Sequence, residues 1–236
     1  MMAPTIRAVA FDFSGVMTMN PLGGLATLEE ELGCAPGTLT AEFRGGDLFC
    51  ECEVGRLPLA EFFTRWRAKL SEQHGREFDL EPILAVFRRA GAMNPETMDL
   101  IARLDPSVRL AILTNNVPEV RSGWQRKIPI ERFAVVIDSS EVGLRKPDPA
   151  IYDLLLERLQ LSGDAVAYVD DYEANLAPAA ALGMRTIHFT TAPACEQALA
   201  ALGVRFTSPP WETTSPPHSA FGRSLPKGER RRRDRR

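Results

Sequence analysis

The sequence predicts an α/β protein with a three-layered, Rossmann-like parallel sheet and a small helical cap inserted after the first strand. Short apolar runs rich in β-branched residues recur along the chain and alternate with helical patterns, which is typical of βαβ units. Such units build a parallel sheet with helices on both faces. The alternation is interrupted once, because residues 12–108 contain no convincing buried strand. This interval predicts the inserted cap.

Five runs are predicted to be strands buried on both faces, since each is short, apolar and rich in Val, Ile, Ala or Leu. They cover residues 6–11, 109–113, 133–137, 165–169 and 185–189. The predicted helices of the same region cover residues 96–104, 118–126, 149–161, 173–182 and 195–202. Gly and Pro signals separate these elements, as at Leu182-Gly183, where the glycine marks the end of a helix.

The inserted segment is predicted to be helical throughout. Its helical patterns cover residues 27–32, 39–44, 58–70 and 81–90. Apolar residues recur there at three- and four-residue spacing, as in Phe62, Trp66 and Leu70, and we expect this stripe to form the core of the insert itself. The predicted organisation is therefore an α/β core of residues 1–16 and 94–206, with a cap of residues 17–93 between the two parts.

Composition and charge exclude several classes of protein. Among the 236 residues, 44% are hydrophobic and 25% are charged, which is ordinary globular usage. No stretch approaches the roughly 18 apolar residues that a membrane-spanning helix needs. The N-terminus lacks the regions of a secretory signal, and four scattered cysteines do not make a disulfide framework. We therefore expect a cytoplasmic protein without a membrane partner.

The net charge of −3 is unevenly distributed along the chain. Residues 207–236 carry eight Lys/Arg and three Asp/Glu, a local charge of +5, which leaves −8 on residues 1–206. This C-terminal segment is rich in Pro, Ser and Arg and poor in apolar residues, so it is predicted to be a disordered tail. An acidic body repels phosphates at long range, and no specific nucleic-acid partner is expected.

Polar residues follow the predicted strands at the points where they end. Because the carboxyl ends of parallel strands meet at one edge of a sheet, ligands bind there. The candidates are three carboxylates, two hydroxyls, an amide and an ammonium. These residues are Asp12 and Ser14 after the first strand, Thr114 and Asn115 after the second, Lys146 after the third, and Asp170 and Asp171 after the fourth.

These residue types point to phosphoryl chemistry. Three carboxylates in one crevice repel each other unless a divalent cation neutralises them, and oxygen ligands favour Mg²⁺. A hydroxyl and an ammonium opposite that cation form a cradle for a phosphoryl group. An ionised aspartate can then serve as the nucleophile.

The same residues, in this order, make the chain resemble the haloacid dehalogenase-like (HAD) hydrolase superfamily. The apolar strand ending at Asp12 is similar to its first motif, Leu113-Thr114-Asn115 to its second, Lys146 to its third and Val169-Asp170-Asp171 to its fourth. The resemblance extends from residue 5 to about residue 190. The sequence around Lys146 and Asp170 is most similar to the branch that contains the phosphatase domain of soluble epoxide hydrolases.

The resemblance implies a role for each candidate residue. It implies Asp12 as the nucleophile and a Mg²⁺ ligand, with the carbonyl of Ser14 and the carboxylate of Asp171 as further ligands. Asp170 is implied as another ligand or as a residue that supports the ligands. The resemblance also implies that Thr114, Asn115 and Lys146 hold the phosphoryl oxygens. The implied activity is hydrolysis of a small phosphorylated metabolite through an aspartyl-phosphate intermediate.

Ser14 departs from the pattern of the superfamily. Phosphatases of this superfamily usually carry a second aspartate there, which protonates the leaving group and later activates water. General acid–base help of this kind contributes about 10²–10⁴-fold. Two alternatives therefore remain open: a phosphate-binding regulatory module with impaired turnover, and a dehalogenase or phosphonatase type of hydrolase, since those enzymes also lack that aspartate.

Overall fold

A computed structural model describes residues 5–207 of the chain. The predicted tail, residues 207–236, therefore lies outside the described residues apart from Thr207. The structure contains one five-stranded, fully parallel sheet with the strand order β3-β2-β1-β4-β5. Its strands are β1 (Ala8–Phe11), β2 (Arg109–Thr114), β3 (Phe133–Asp138), β4 (Val166–Asp170) and β5 (Arg185–His188). The predicted parallel α/β sheet is confirmed.

Helices fill the chain between β1 and β2. Six helices lie in this interval: α1 (Pro21–Glu31), α2 (Thr40–Phe43), α3 (Asp47–Glu53), α4 (Leu59–His74), α5 (Glu81–Ala90) and α6 (Pro95–Arg103). Helix α1 begins at Pro21 rather than at the predicted residue 27, because the Asn20 side chain accepts a hydrogen bond from the Leu22 amide and Pro21 occupies the first turn, both favourable for a helix start. Helix α3 was not predicted from the sequence.

The remaining helices alternate with the later strands. They are α7 (Pro118–Gln125), α8 (Ser139–Val142), α9 (Pro149–Leu159), α10 (Leu176–Ala181) and α11 (Ala192–Ala201). Side chains on β1 alternate between the two faces of the sheet, as strand geometry requires. Val9 and Phe11 pack in one apolar cluster with residues of α6, α7 and α11, whereas Ala8 and Ala10 pack in another with residues of α9 and α10. The sheet is therefore the middle of three layers.

The segment from α1 to α5, called the insert below (residues 20–90), has its own apolar cluster. The Phe43 ring lies at its centre, with ring centroids 4.7–5.8 Å from those of four other aromatic residues. These are Phe49, Phe62, Trp66 and Phe87. Phe62, Trp66 and Leu70 are almost completely buried, so the prediction that the apolar stripe forms a core of the insert is confirmed.

The two connections between the insert and the sheet run side by side. Thr18 and Met93 form an antiparallel bridge, the Met19 amide donates to the Ala92 carbonyl (3.1 Å), and the Asn94 amide donates to the Met17 carbonyl (2.9 Å). The insert is thus tied at its root by backbone hydrogen bonds. Among the helices that the structure describes, none is long and apolar enough to cross a bilayer.

Replacing Trp66 by alanine is expected to lower the free energy of unfolding by about 3–5 kcal/mol, the usual cost of removing a buried large aromatic side chain. Trp66 is 1% exposed and contacts Phe43, Phe62 and Phe63. Urea unfolding measures the change. The control is Arg67→Ala on the exposed face of the same helix, which should stay within about 0.5 kcal/mol of the parent protein. Equal stability of both variants would contradict the packing described here.

Candidate active site

The register of the sheet brings the ends of β1 and β4 together. Phe11 pairs with Val169 of β4 and with Ile112 of β2, and the Asp12 amide donates to the Val169 carbonyl at 2.8 Å. Asp12 therefore lies level with Asp170 on the neighbouring strand. Asp12 is 6% exposed, and its side chain is oriented by a hydrogen bond from the Phe13 amide to Oδ1 (2.7 Å).

A buried lysine joins these two aspartates. The Nζ atom of Lys146 lies 2.8 Å from Asp12 Oδ1 and 2.7 Å from Asp170 Oδ2, and the Lys146 side chain is 1% exposed. Burial by itself lowers the pKa of an ammonium, but the two carboxylates raise the pKa of Lys146 above its usual value. The lysine is therefore charged at neutral pH, and it holds the two carboxylates in a fixed arrangement.

The backbone of Lys146 is held by Asn115. Asn115 Nδ2 donates to the Lys146 carbonyl (2.9 Å), and the Lys146 amide donates to Asn115 Oδ1 (2.8 Å). The amide of the next residue, Asn116, donates to the Ser139 hydroxyl (2.9 Å). These contacts fasten the loop after β2 to the segment after β3, so the Asn115 side chain positions Lys146 in this structure.

Asp170 has more hydrogen-bond partners than the other carboxylates of the site. Besides Lys146, its oxygens accept hydrogen bonds from the Tyr168 hydroxyl, from the Tyr172 amide (2.8 Å) and from Asn175 Nδ2 (3.1 Å to each oxygen). The Tyr152 hydroxyl donates to the backbone carbonyl of Asn175 (2.7 Å) and so holds the backbone from which that side chain extends. A carboxylate has about four lone-pair positions, and those of Asp170 are committed to protein donors.

Asp171 lies at the rim, where it meets the insert. The Asn20 side chain donates from Nδ2 to Asp171 Oδ2 (2.6 Å) while its own Oδ1 caps α1. On the other side lies Gly15, whose φ is +89° and where a Cβ atom would stand 2.2 Å from Asp171 Oδ2. Only glycine fits both the left-handed backbone and this close approach. The Asp171 carboxylate is thus confined between Gly15 and Asn20.

The three aspartates form a cluster with the properties of a cation site. Asp12, Asp170 and Asp171 each place one carboxylate oxygen within 4.8 Å of the others. Burial is the larger cause and repulsion from Asp170 the smaller one of a rise in the pKa of Asp171 to about 6. Burial also raises the pKa of Asp12, against the attraction of Lys146. Three carboxylates and one ammonium leave two negative charges when all are ionised, and a bound divalent cation would balance them.

The two hydroxyl residues of the predicted site lie in different surroundings. Thr114 is completely buried at the end of β2, where its hydroxyl donates to the Asn115 carbonyl (3.3 Å). Ser14 is exposed, and its hydroxyl makes no hydrogen bond within residues 5–207. The structure therefore brings Asp12, Lys146 and Asp170 into direct contact, places the Asp171 carboxylate within 4.8 Å of the other two carboxylates, and leaves the Ser14 side chain outside this network.

Several contacts of the site were missed from the sequence. Asn20 could have been found, because an Asn-Pro pair is a typical helix start. Tyr168 carried no signal, since it lies inside an apolar strand. One ion pair and one hydrogen bond that join the insert to the α/β core were also missed. Arg145 Nε donates to Glu53 Oε2 of α3 (2.7 Å), and the Leu59 amide of α4 donates to Glu119 Oε1 (2.8 Å).

Comparison with known proteins agrees with this site. The profile of the haloacid dehalogenase-like hydrolases matches residues 6–183. The chain is 32% identical over 93% of its length to mouse (Mus musculus) acyl-CoA dehydrogenase family member 10, of which it covers 22%. It is 26% identical over 77% of its length to D-ribitol-5-phosphate phosphatase of Bacteroides thetaiotaomicron, of which it covers 90%. The chain therefore belongs to the haloacid dehalogenase-like hydrolase family, as its motifs predicted.

Solved structures and the longer relatives support the same family. A predicted HAD-like family hydrolase from Porphyromonas gingivalis superposes with a TM-score of 0.57 at 25% identity, over 78% of this chain and 90% of that one. Mouse bifunctional epoxide hydrolase 2 is 26% identical over 87% of this chain. The chain spans 40% of that relative, so only one part of the longer protein corresponds to it. This likeness confirms the branch that the sequence predicted.

Replacing Gly15 by alanine is expected to weaken Mg²⁺ binding about 10- to 100-fold, the usual effect of disturbing a group that orients a metal ligand. The added methyl group collides with the Asp171 carboxylate. The measurement is the rise in melting temperature as Mg²⁺ is titrated, since a ligand of the folded state stabilises it. The control is Gly203→Ala, which has a similar φ of +84° but no atom within 4 Å of the new Cβ. Equal Mg²⁺ responses in the two variants would contradict the predicted site.

Proposed function

We propose that this protein is a Mg²⁺-dependent phosphatase that acts on a small phosphorylated metabolite through an aspartyl-phosphate intermediate. The observation that carries the proposal is the buried Lys146 ammonium, held between Asp12 and Asp170 beside a third carboxylate. Such an arrangement suits a site that must accept a phosphoryl group and a cation together. Relatives in the same family that are named as phosphatases, including the ribitol phosphate enzyme, support the same class of reaction.

The residues present suit Mg²⁺, which prefers oxygen ligands and retains several waters. We assign the ion to the carboxylates of Asp12 and Asp171 and to the carbonyl of Ser14. The two contacts of Asp12 within the described residues both use Oδ1, which leaves Oδ2 for the ion. Because the oxygens of Asp170 are committed to protein donors, we assign Asp170 to holding Lys146. When bound, Mg²⁺ would neutralise charge on the carboxylates and on the phosphoryl oxygens.

Asp12 is the proposed nucleophile. Its carboxylate oxygen attacks phosphorus, an O–P bond to Asp12 forms, and the ester O–P bond breaks to release the alcohol, which takes its proton from solvent. Water then attacks the phosphorus of phospho-Asp12, and inorganic phosphate and the free carboxylate are regenerated. Lys146, the Thr114 hydroxyl and the backbone amide of Asn115 are the proposed donors to the phosphoryl oxygens, because the Asn115 side chain is already bound to the backbone of Lys146. Lys146 also fixes the direction of attack.

The insert is proposed to act as the cap over this reaction. Contacts between the insert and the α/β core lie on both sides of Asp12: Asn20 reaches Asp171 beyond β4, and Glu53 reaches Arg145 beside Lys146. The core division at residues 16 and 94 remains a prediction. A cap in this place would exclude water from the phosphoryl group and would carry the residues that select the substrate.

A second function is favoured by one observation, the exposed Ser14 hydroxyl, which has no hydrogen-bond partner among residues 5–207. No carboxylic acid stands at this position to protonate the leaving group, so a protein that binds phosphate and Mg²⁺ but turns over slowly is the alternative. A dehalogenase or phosphonatase reaction is less favoured. Dehalogenation does not require the cation for which the three aspartates are suited.

Asp12→Asn is expected to reduce phosphate release at least 100-fold with any phosphomonoester, because the nucleophile and one Mg²⁺ ligand are lost together. Phosphate release with excess Mg²⁺ measures the rate, and thermal unfolding confirms that the variant is folded. The matched control is Asp153→Asn on the exposed face of α9, which should retain the parent rate. A rate for Asp12→Asn close to that of the control would exclude Asp12 as the nucleophile.

With 4-nitrophenyl phosphate, we expect an initial burst of nitrophenol near one equivalent per site, followed by slow turnover. This leaving group needs no proton, whereas water attack on phospho-Asp12 lacks a base at position 14. Ser14→Asp should accelerate the slow phase by up to about 10²–10⁴-fold, and Ser14→Asn, of similar size but without an acid, should not. Linear kinetics without a burst, together with a slower Ser14→Asp variant, would contradict this account of Ser14.

A further inference from the structure

Helix α2 of the insert ends at the rim of the site. Its last residue, Phe43, lies at the centre of the aromatic cluster of the insert, in contact with four other rings. The next residue, Arg44, is exposed, and its amide still donates to the carbonyls of Thr40 and Ala41. Because Phe43 is anchored, the backbone of Arg44 has a fixed position relative to the rest of the insert.

The guanidinium of Arg44 lies over the residue that follows the acidic cluster. Its Cζ atom is 5.9 Å from the centroid of the Tyr172 ring. Tyr172 comes directly after Asp171, and its amide donates to Asp170 Oδ1 (2.8 Å). An arginine that lies over an aromatic ring keeps its in-plane N–H groups free for other acceptors. Arg44 therefore presents hydrogen-bond donors beside Tyr172, the residue that follows Asp171.

Arg44 has no carboxylate partner within residues 5–207. Among the other arginines of the insert, Arg56, Arg65 and Arg88 form ion pairs with glutamates on the same segment. Arg67, Arg76 and Arg89 form none within residues 5–207. The cations closer to Asp12 are also paired: Lys146 with Asp12 and Asp170, and Arg145 with Glu53. Of the insert arginines without a carboxylate partner within residues 5–207, Arg44 is the one that lies over the ring of Tyr172, the residue next to Asp171.

We propose that the substrate is a phosphomonoester with a second anionic group, a carboxylate or a second phosphate, which Arg44 binds against the Tyr172 ring. This inference rests on the proposed phosphatase function and specifies its substrate class. A second anion beside Asp170 and Asp171 would be repelled, and a cation at the rim removes that penalty. The guanidinium can bind either group through two parallel N–H donors, so both chemistries are included.

The test compares substrates that differ at one position only. Kinetics with Mg²⁺ are measured for 3-phosphoglycerate, glycerol 1,3-bisphosphate and glycerol 3-phosphate, of which the last has a neutral hydroxymethyl group in place of the second anion. The parent protein should have a higher kcat/KM for the first two compounds. In Arg44→Gln this preference should fall about 10- to 100-fold, mainly through KM, which is the loss that a charge-assisted hydrogen bond typically accounts for. Arg44→Lys should restore part of it.

The matched control is Arg67→Gln, an exposed arginine on α4 of the same insert, which should keep the preference of the parent protein. A preference that is absent from the parent, or unchanged in Arg44→Gln, would overturn the inference. A preference for only one anionic compound would identify which group Arg44 binds and would support it.

A binding measurement separates failure of this inference from failure of the proposed function. Calorimetry on the parent protein with Mg²⁺, in which each compound is supplied as its non-hydrolysable phosphonate analogue, gives dissociation constants that do not depend on turnover. Tighter binding of 3-phosphoglycerate than of glycerol 3-phosphate supports the role of Arg44. Equal binding of the two compounds overturns that role alone, whereas no binding of either compound overturns the phosphatase proposal and this inference together.

Discussion

The arrangement of this site depends on one buried ammonium between two buried carboxylates. Removing charges from water costs several kcal/mol for each ion, and the cost is recovered only if the remaining donors and acceptors are satisfied. The partners of Lys146 meet this requirement at 2.8 Å and 2.7 Å. Tyr168, Asn175 and the Tyr172 amide then complete the environment of Asp170. The buried oxygens of Asp170 therefore all have hydrogen-bond partners, whereas the carboxylates of Asp12 and Asp171 retain oxygen positions for a ligand.

The parallel sheet explains how distant residues reach this network. Strand β1 lies between β2 and β4, so the loops that follow all three strands start at the same edge. Asn115 from the loop after β2 then holds the backbone of Lys146 by two hydrogen bonds. Lys146 reaches the ends of β1 and β4 from its own loop. The position of the ammonium thus depends on three strands of the sheet and on the two loops that meet at Asn115 and Lys146.

In the proposed function, the α/β core performs the chemistry and the insert contacts the substrate. The core carries Asp12, Lys146 and the other residues proposed to perform the chemistry. The insert contributes Asn20 beside Asp171, Glu53 beside Arg145, and Arg44 over Tyr172. In this proposal the insert selects the substrate, and the α/β core holds the reacting groups. In the proposed reaction, Ser14 bears on proton transfer to the leaving group and from water, and it leaves the arrangement of these groups unaltered.

The sequence by itself determined the parallel α/β fold and the residues at the carboxyl edge of the sheet, because buried strands have a strong local pattern and parallel strands end at one edge. It also predicted the apolar core of the insert, since helical spacing of large apolar residues is a local signal. Only the tertiary structure decided that Asn115 holds Lys146 and that Arg44 lies over Tyr172. These contacts join segments far apart in the chain, and their geometry depends on how the insert and loops fold back over the sheet, which no local pattern encodes.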